Sequence, residues 1–337
     1  MKRNRILALA LVLLLAFTVL AGCAKESGGD AGGGEEAVKP IVMKLANGSA
    51  LGDSRDLSLV KFAELVNEKS EGRVEVEVYS GGTLGAWRDT IEGLEPGIVQ
   101  IVGESIGTLE PYSELAAIDA YPFLYRDEAH YEKVMNGEIG QDLLKTVGDQ
   151  GGFVLLGPSY RGARVMTTTK KIEKAEDLEG LKLRAPGLKM YMKTWEYLGA
   201  SPTPMDPSEI YTGIQQGTVQ GQENPVLYCY SNAFYEVCDY LIRTNHVYST
   251  DVIIFNKDYF ESLDADIQEI LRDAAAEAGQ YRTQMVKDSE DEYLAKFEEE
   301  GVEVVYPEMD GFYERMEDFG TEFPNLQELV KKIQAVK

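Results

Sequence analysis

The sequence predicts an α/β fold in two domains, and three observations carry that prediction. Segments of strict apolar alternation exchange with segments of helical spacing along the chain. The 337 residues suffice for two domains of ~150 residues each, and a hydrophobic content of 44% can fill two cores. Between Pro225 and Pro307 no proline occurs, and a helical pattern runs from Asp264 to Glu300. A helix of that length spans roughly 50 Å, against a radius of gyration of ~15 Å for one such domain. It should therefore cross both domains, with Gly279 as a bend point.

The first residues belong to neither domain. "MKRNR" is a basic leader and "ILALALVLLLAFTVLAG" an apolar run ending in small residues. "LAGC", residues 20–23, matches the bacterial lipobox, which implies a signal peptide over 1–22, cleavage before Cys23 and lipid on its thiol. An ordinary signal peptide or a membrane helix with an incidental cysteine is the alternative. The stretch that follows, "AKESGGDAGGGEEAVK", is too polar and glycine-rich to bury a core. As a flexible tether it reaches roughly 20–24 Å. Later in the chain nothing approaches the ~20 apolar residues of a spanning helix.

The elements follow in order. Leu59, Phe62, Ala63 and Val66 have helical spacing, and Gly72 closes that helix. "RVEVEVYS" alternates at Val74, Val76 and Val78 as a half-buried strand, and "GIVQIVGES" (97–105) and "GFVLLG" (152–157) read as further strands. Between the last two lies "EAHYEKVMNGEIGQDLLKTVGDQ", a helical pattern. In "GLKLRAPG" (180–187), Leu181 and Leu183 alternate with Lys182 and Arg184, and Ala185-Pro186-Gly187 ends the strand. In "MDPSEIYTGIQQG", Asp206 caps a helix, Pro207 occupies its first turn, Glu209 completes a capping box and Gly217 ends it.

Charge and chemistry narrow the function. The net charge is −24, and removal of the leader takes away Lys2, Arg3 and Arg5 but no acid. Such a surface argues against nucleic acid and against anionic lipid. Cys229 and Cys238, the cysteines besides Cys23, read as reduced core residues. "GESIG" (103–107) matches a nucleophile elbow after a strand, but Pro111 falls where the elbow helix should run. HExxH, CxxC, P-loop and GxGxxG motifs are absent from the sequence, and two histidines argue against a transition-metal site. No enzyme, cofactor or metal is expected.

What remains is a set of polar groups at strand ends, where open α/β sheets place their ligand crevices. Arg184 ends "LKLR", Arg164 follows "GFVLLGPSYRGA", Asn224 precedes Pro225, and Glu104 ends "IVQIV". Each alone fits a surface ion pair or a turn cap; together they suggest convergence on an interdomain cleft. Arginine suits a carboxylate ligand because its planar fork binds two oxygens at once.

On "KFAELVNEKSEGRVEVEVYSGGTLG", "DLEGLKLRAPG", "LGASPTPMDPSEIYTGIQQGTVQGQENP" and "FYEVCDYLIRTNHVYS", the chain resembles the solute-binding receptors of tripartite ATP-independent periplasmic (TRAP) transporters, of the dicarboxylate-receptor (DctP) type. The resemblance covers about residues 41–330. It implies a two-domain periplasmic-binding-protein-like fold with an interdomain cleft, crossover strands and a long helix on the back. One domain would hold 41–161 and 250–289, the other 162–249 and 290–337. It implies that Arg184 pairs with a ligand carboxylate, that Arg164 lies near the anion, and that Asn224 fixes the carboxylate from the neighbouring strand. Glu104 and Asn47 match pocket positions in the opposite domain, and His246 resembles a histidine behind the pocket. Sialate-binding members carry an asparagine near Gly187, an aromatic near Pro207 and an acid near Ala86; their absence disfavours sialate. Trp87 could supply a sugar-facing ring or simply pack.

The resemblance implies an extracytoplasmic monomer, lipid-anchored at the cell membrane, that delivers a small organic acid to TRAP membrane subunits. Hexuronates or aldonates are expected first, then small dicarboxylates or keto acids. The alternative is a sensory lipoprotein that presents an organic acid to a signalling partner. Because a tether separates anchor from pocket, Cys23→Ser should release the protein from membranes and leave ligand binding intact. A variant that stays membrane-bound through high-salt washing would refute the lipid anchor.

Overall fold

Residues 39–337 are described in the computed structural model. The lipobox, Cys23 and most of the tether lie outside the described residues. Strand β1 (Ile41–Asn47) leads through helix α1 (Ser54–Lys69) to β2 (Val74–Tyr79), its parallel partner. The Asp53 carboxylate starts α1 by accepting from the Arg55 amide at 2.8 Å, and Gly72 ends the connection at φ +77°. After helix α2 (Trp87–Glu92), β3 (Ile101–Ser105) pairs with the other side of β1. This strand starts four residues later than the alternation suggests. Gly97 turns at φ +71°, and Gln100 ties to the Lys44 backbone with both its amide and its side chain.

The helical pattern over 128–150 divides into α3 (Glu128–Met135) and α4 (Glu138–Gly151), because Asn136-Gly137 breaks it. Strand β4 (Phe153–Thr168) then runs sixteen residues, far past the Gly157-Pro158 at which local signals end it. Strand β5 (Lys182–Ala185), helix α5 (Lys189–Tyr197), strand β6 (Ser201–Pro204), helix α6 (Ile210–Gln215), strand β7 (Gly221–Pro225) and helix α7 (Val226–Ser231) follow in alternation. Pro207–Glu209 forms a 3-10 turn ahead of α6; the Glu209 carboxylate accepts from the Asp206 amide at 3.3 Å as expected, while the Asp206 side chain makes no capping bond. After β8 (Tyr240–Ile242) comes β9 (Tyr248–Asn256), antiparallel to both β3 and β4. Helices α8 (Lys257–Ser262) and α9 (Ala265–Glu299), strand β10 (Glu303–Val305) and helices α10 (Asp310–Arg315) and α11 (Gln327–Gln334) complete the chain.

The strands form one path, β2-β1-β3-β9-β4-β7-β5-β6, with β8 pairing to β4 and β10 to β8. Within it β4 and β9 are the crossing strands. The early part of β4 pairs with β9, and its last residues pair with β7 and β8. Continuation through Gly157-Pro158 is possible because the β4–β9 register shifts between Leu156 and Ser159, and again between Tyr160 and Ala163. One apolar cluster joins Phe62 and Val66 of α1 to Ile101, Phe255 and Leu271. Another gathers Leu183, Trp195, Ile214, Phe297 and Phe312. Cys229 and Cys238 are free and buried, and burial pushes both thiols up to about 12. Among the described residues no helix is long and apolar enough to cross a membrane.

Helix α9 is 35 residues long and unbroken. Gly279 serves close approach rather than a break. A Cβ there would lie 2.8 Å from the Gly157 carbonyl oxygen, and one on Gly157 only 2.3 Å from that of Ala275. Gly157 also sits at φ +57°, which costs an alanine strain. Gly157→Ala should therefore remove ~2–4 kcal/mol, read as a drop of roughly 5–10 °C in thermal melting. An unchanged melting temperature would show that the crossing of α9 over β4 yields freely.

Candidate functional site

A cavity of about 380 Å³ opens beside β3, β4, β5 and β7. Its lining brings Arg184, Asn224, Arg164, Glu104 and Trp87 together, from strands distant in sequence. Arg184 reaches it as the third residue of β5, where Pro186 stops the strand. The residue is 3% exposed. Its Nε donates to the Met205 carbonyl at 2.9 Å, and among the described residues it has no ion pair. Burial lowers its pKa, yet a guanidinium stays charged at physiological pH. The result is a desolvated cation that faces the cavity with no ion pair of its own among the described residues, an arrangement that favours an anion.

Arg164 is placed differently. Glu223 grips it through Nε at 2.5 Å and Nη2 at 2.7 Å, and the Glu223 carbonyl accepts from Nη2 at 2.9 Å. The Tyr191 ring lies 4.9 Å from the guanidinium. Burial pushes the Glu223 carboxyl up, but Arg164 and His246 outweigh it and hold it at about 2. His246 stands behind this pair, Nε2 3.1 Å from Glu223 and Nδ1 2.8 Å from the Thr244 hydroxyl. Burial lowers its pKa, so a neutral ring donates from Nε2 to Glu223 and accepts from Thr244. His246 acts on the cavity only through Glu223 and Arg164.

On the other wall, Glu104 accepts from Arg55 Nη1 at 2.9 Å. Arg55 in turn forks Asp251 of β9, Nε to Oδ2 at 2.6 Å and Nη2 to Oδ1 at 2.9 Å. Arg282 of α9 donates to the same carboxylate, and Arg161 Nε lies 3.8 Å away. Burial pushes Asp251 up, but Arg282, Arg55 and Arg161 hold it far below the usual carboxylate range. Asn224 Oδ1 accepts from Arg161 Nη2 at 3.2 Å, and its Nδ2 donates to Gln222 Oε1 at 2.7 Å. Trp87, half-buried, starts α2 at the cavity, with the Arg88 guanidinium 4.8 Å from its ring. Asn47 corrects the expectation. It is buried but does not line the cavity; its amide bonds Asp56 and its carbonyl holds the Ser49 amide, shaping the 48–50 loop that does.

Arg55, Arg161 and Asp251 were not singled out from the sequence. Arg55 carried a signal. A cation in the first turn of α1 opposes the helix dipole and needs another reason to be there. Asp251 at the head of the apolar "VIIF" carried one as well, since an acid in a buried strand needs a partner. For Arg161 the signal is "YRGAR", two arginines three apart around a glycine.

Residues 48–324 match the family model described as bacterial extracellular solute-binding protein, family 7 (DctP). A solute-binding protein from Roseobacter denitrificans is 34% identical over 257 residues, 76% of this chain and 78% of that protein. The 2,3-diketo-L-gulonate-binding periplasmic protein YiaO of Escherichia coli is 30% identical over 254 residues, 75% of this chain and 77% of YiaO. Among solved structures, a TRAP periplasmic solute-binding protein from Polaromonas sp. JS666 bound to D-erythronate superposes with a TM-score of 0.84 at 32% identity, covering 88% of this chain and 99% of that one. The neighbour's fold, the strand-end cavity and the family match agree, and the chain belongs to the bacterial extracellular solute-binding proteins of family 7.

Proposed function

We propose that the cavity captures a small organic acid whose carboxylate pairs with Arg184, and that the protein delivers it to the membrane permease of a TRAP transporter. The observation that carries this reading is the buried Arg184 guanidinium, held by one backbone carbonyl and facing the cavity. A carboxylate there gains charge-assisted bonds and relieves an uncompensated buried charge. The names of YiaO and of the Polaromonas protein, with diketogulonate and erythronate, favour a sugar acid over an unsubstituted one. Membership of a receptor family favours capture without turnover. Arg164, closed by its Glu223 pair, forms a rigid part of the wall, Asn224 sets the edge of the site, and Glu104 and Trp87 form the facing wall. Lipid at Cys23 would keep the receptor at the outer face of a membrane.

Residues 41–161 with 250–289, and 162–249 with 290–337, would move as two bodies about β4, β9 and α9. The β4 register shift between Tyr160 and Ala163 falls at the first boundary and supports a hinge there. Ligand binding should then compact the protein. An equal small-angle scattering radius with and without a tight ligand would argue against closure.

Arg184→Lys keeps the charge and loses the fork. It should weaken binding roughly 10- to 100-fold, the loss of one or more charge-assisted bonds, and leave the melting of the empty protein unchanged. Calorimetric titration with sugar acids chosen by a thermal-shift screen reads the first, and a melt of the empty variant reads the second. Unchanged affinity together with a destabilised fold would remove Arg184 from the binding site.

A further inference from the structure

We propose that Arg161 is a second ligand-binding guanidinium, turned into the cavity by a strand bulge, and that it selects acids carrying a hydroxyl or oxo oxygen in addition to the carboxylate. This rests on the reading of Arg184 as the carboxylate's partner.

The first argument is parity. Side chains alternate between the faces of a strand, so residues three apart on a regular β4 would point to opposite sides. Arg161 and Arg164 nevertheless both line the cavity. The register explains how. Tyr160 pairs with Thr250 and Ala163 with Tyr248, so β4 advances three residues where β9 advances two. That is one extra residue, a bulge that re-aims a side chain. Gly162 carries the bend at φ +99°, and a Cβ there would lie 3.2 Å from Pro225 Cβ and 3.4 Å from Val286 Cγ1. Both conformation and space therefore call for glycine at this point.

The second argument is pairing. Arg55 and Arg164 each grip a carboxylate through two N–H groups. Arg161 does not. Its ion pair among the described residues is 3.8 Å long and shares Asp251 with Arg55 and Arg282. Its side-chain hydrogen bond is the one to Asn224, at 3.2 Å. A guanidinium carries five N–H groups, and the Arg161 side chain, 11% exposed at the cavity wall, has N–H groups left to turn into the cavity. The Tyr228 ring lies 5.6 Å from it, and Asn224, fixed in turn by Gln222, sets its plane.

The third argument concerns the chemistry of the partner. A second ligand carboxylate at Arg161 would compete with Asp251 for the guanidinium. A neutral oxygen accepts one N–H and leaves that ion pair in place. One carboxylate at Arg184 and one hydroxyl or oxo oxygen at Arg161 is the arrangement of a hydroxy or oxo acid.

The test uses wild type, Arg161→Met and Arg161→Gln, titrated calorimetrically with D-erythronate, D-gluconate and D-glucuronate. The tightest of the three is then compared with its mono-deoxy analogues. Wild type should lose roughly 10- to 100-fold on removal of one particular oxygen, the effect of one charge-assisted bond. Arg161→Met should bind that analogue and the parent acid alike. Arg161→Gln, which retains an N–H for Asn224, supplies the same comparison if Arg161→Met folds poorly. The inference is overturned if the variants keep the preference of wild type for every oxygen, or weaken parent and analogues by one common factor. If wild type binds a parent acid and Arg184→Lys loses it while the Arg161 variants keep that preference, this inference alone falls. Binding of none of the three acids by wild type overturns both readings.

Discussion

Asp251 holds three guanidiniums, and the walls of the cleft take their positions from it. The carboxylate sits on β9, one of the two crossing strands, and meets Arg55 of α1, Arg282 of α9 and Arg161 of β4. Elements separated by 31 to 196 residues thus converge on one side chain. Burying such charges costs several kcal/mol per ion, which their mutual attraction roughly offsets. The net gain in stability is therefore modest, and the main consequence is geometric. With Arg55 fixed, Glu104 is fixed; with Arg161 fixed, so is the edge of Asn224.

This network explains which parts of the molecule could be read from the sequence. The alternation of strands and helices, the helix α9 and the box at Asp206 are local patterns, and local signals name them. Arg184 was legible for the same reason, since a short alternating strand stopped by Ala185-Pro186 fixes its place. Strand β4 was not. Gly157-Pro158 ends a strand by every local rule, and only pairing with β9, with two shifts of register, carries the strand through. The locked state of Arg164 was hidden as well, because Glu223 lies 59 residues away on β7. Asn47 shows the reverse case. The family resemblance placed it at a pocket position, but Asp56, nine residues on in α1, captures its amide.

The same geometry reconciles a strongly acidic chain with the anionic ligand proposed for it. At a net charge of −24, the far field repels an acid, but salt at physiological strength screens exposed charges beyond ~8 Å. Inside the cleft the dielectric is lower and the cations are near. Four arginines line the cavity, and their effect is confined to the ligand's last few ångströms of approach. Recognition then depends on desolvated, directional bonds rather than on long-range steering.

Those four arginines are not equivalent, and pairing is what separates them. Arg55 and Arg164 are closed by two-point contacts with Asp251 and Glu223, and the neutral His246 holds Glu223 in turn. Their charge is internally balanced, so an incoming anion gains little from them beyond a rigid wall. Arg184, with one carbonyl partner, and Arg161, with a long shared ion pair and one amide contact, keep N–H groups that face the cavity and can turn to a ligand. Differences in pairing, set by strand register and by the bulge at Gly162, thus turn one residue type into two classes: arginines closed by carboxylates of the protein and arginines with N–H groups open to the cavity.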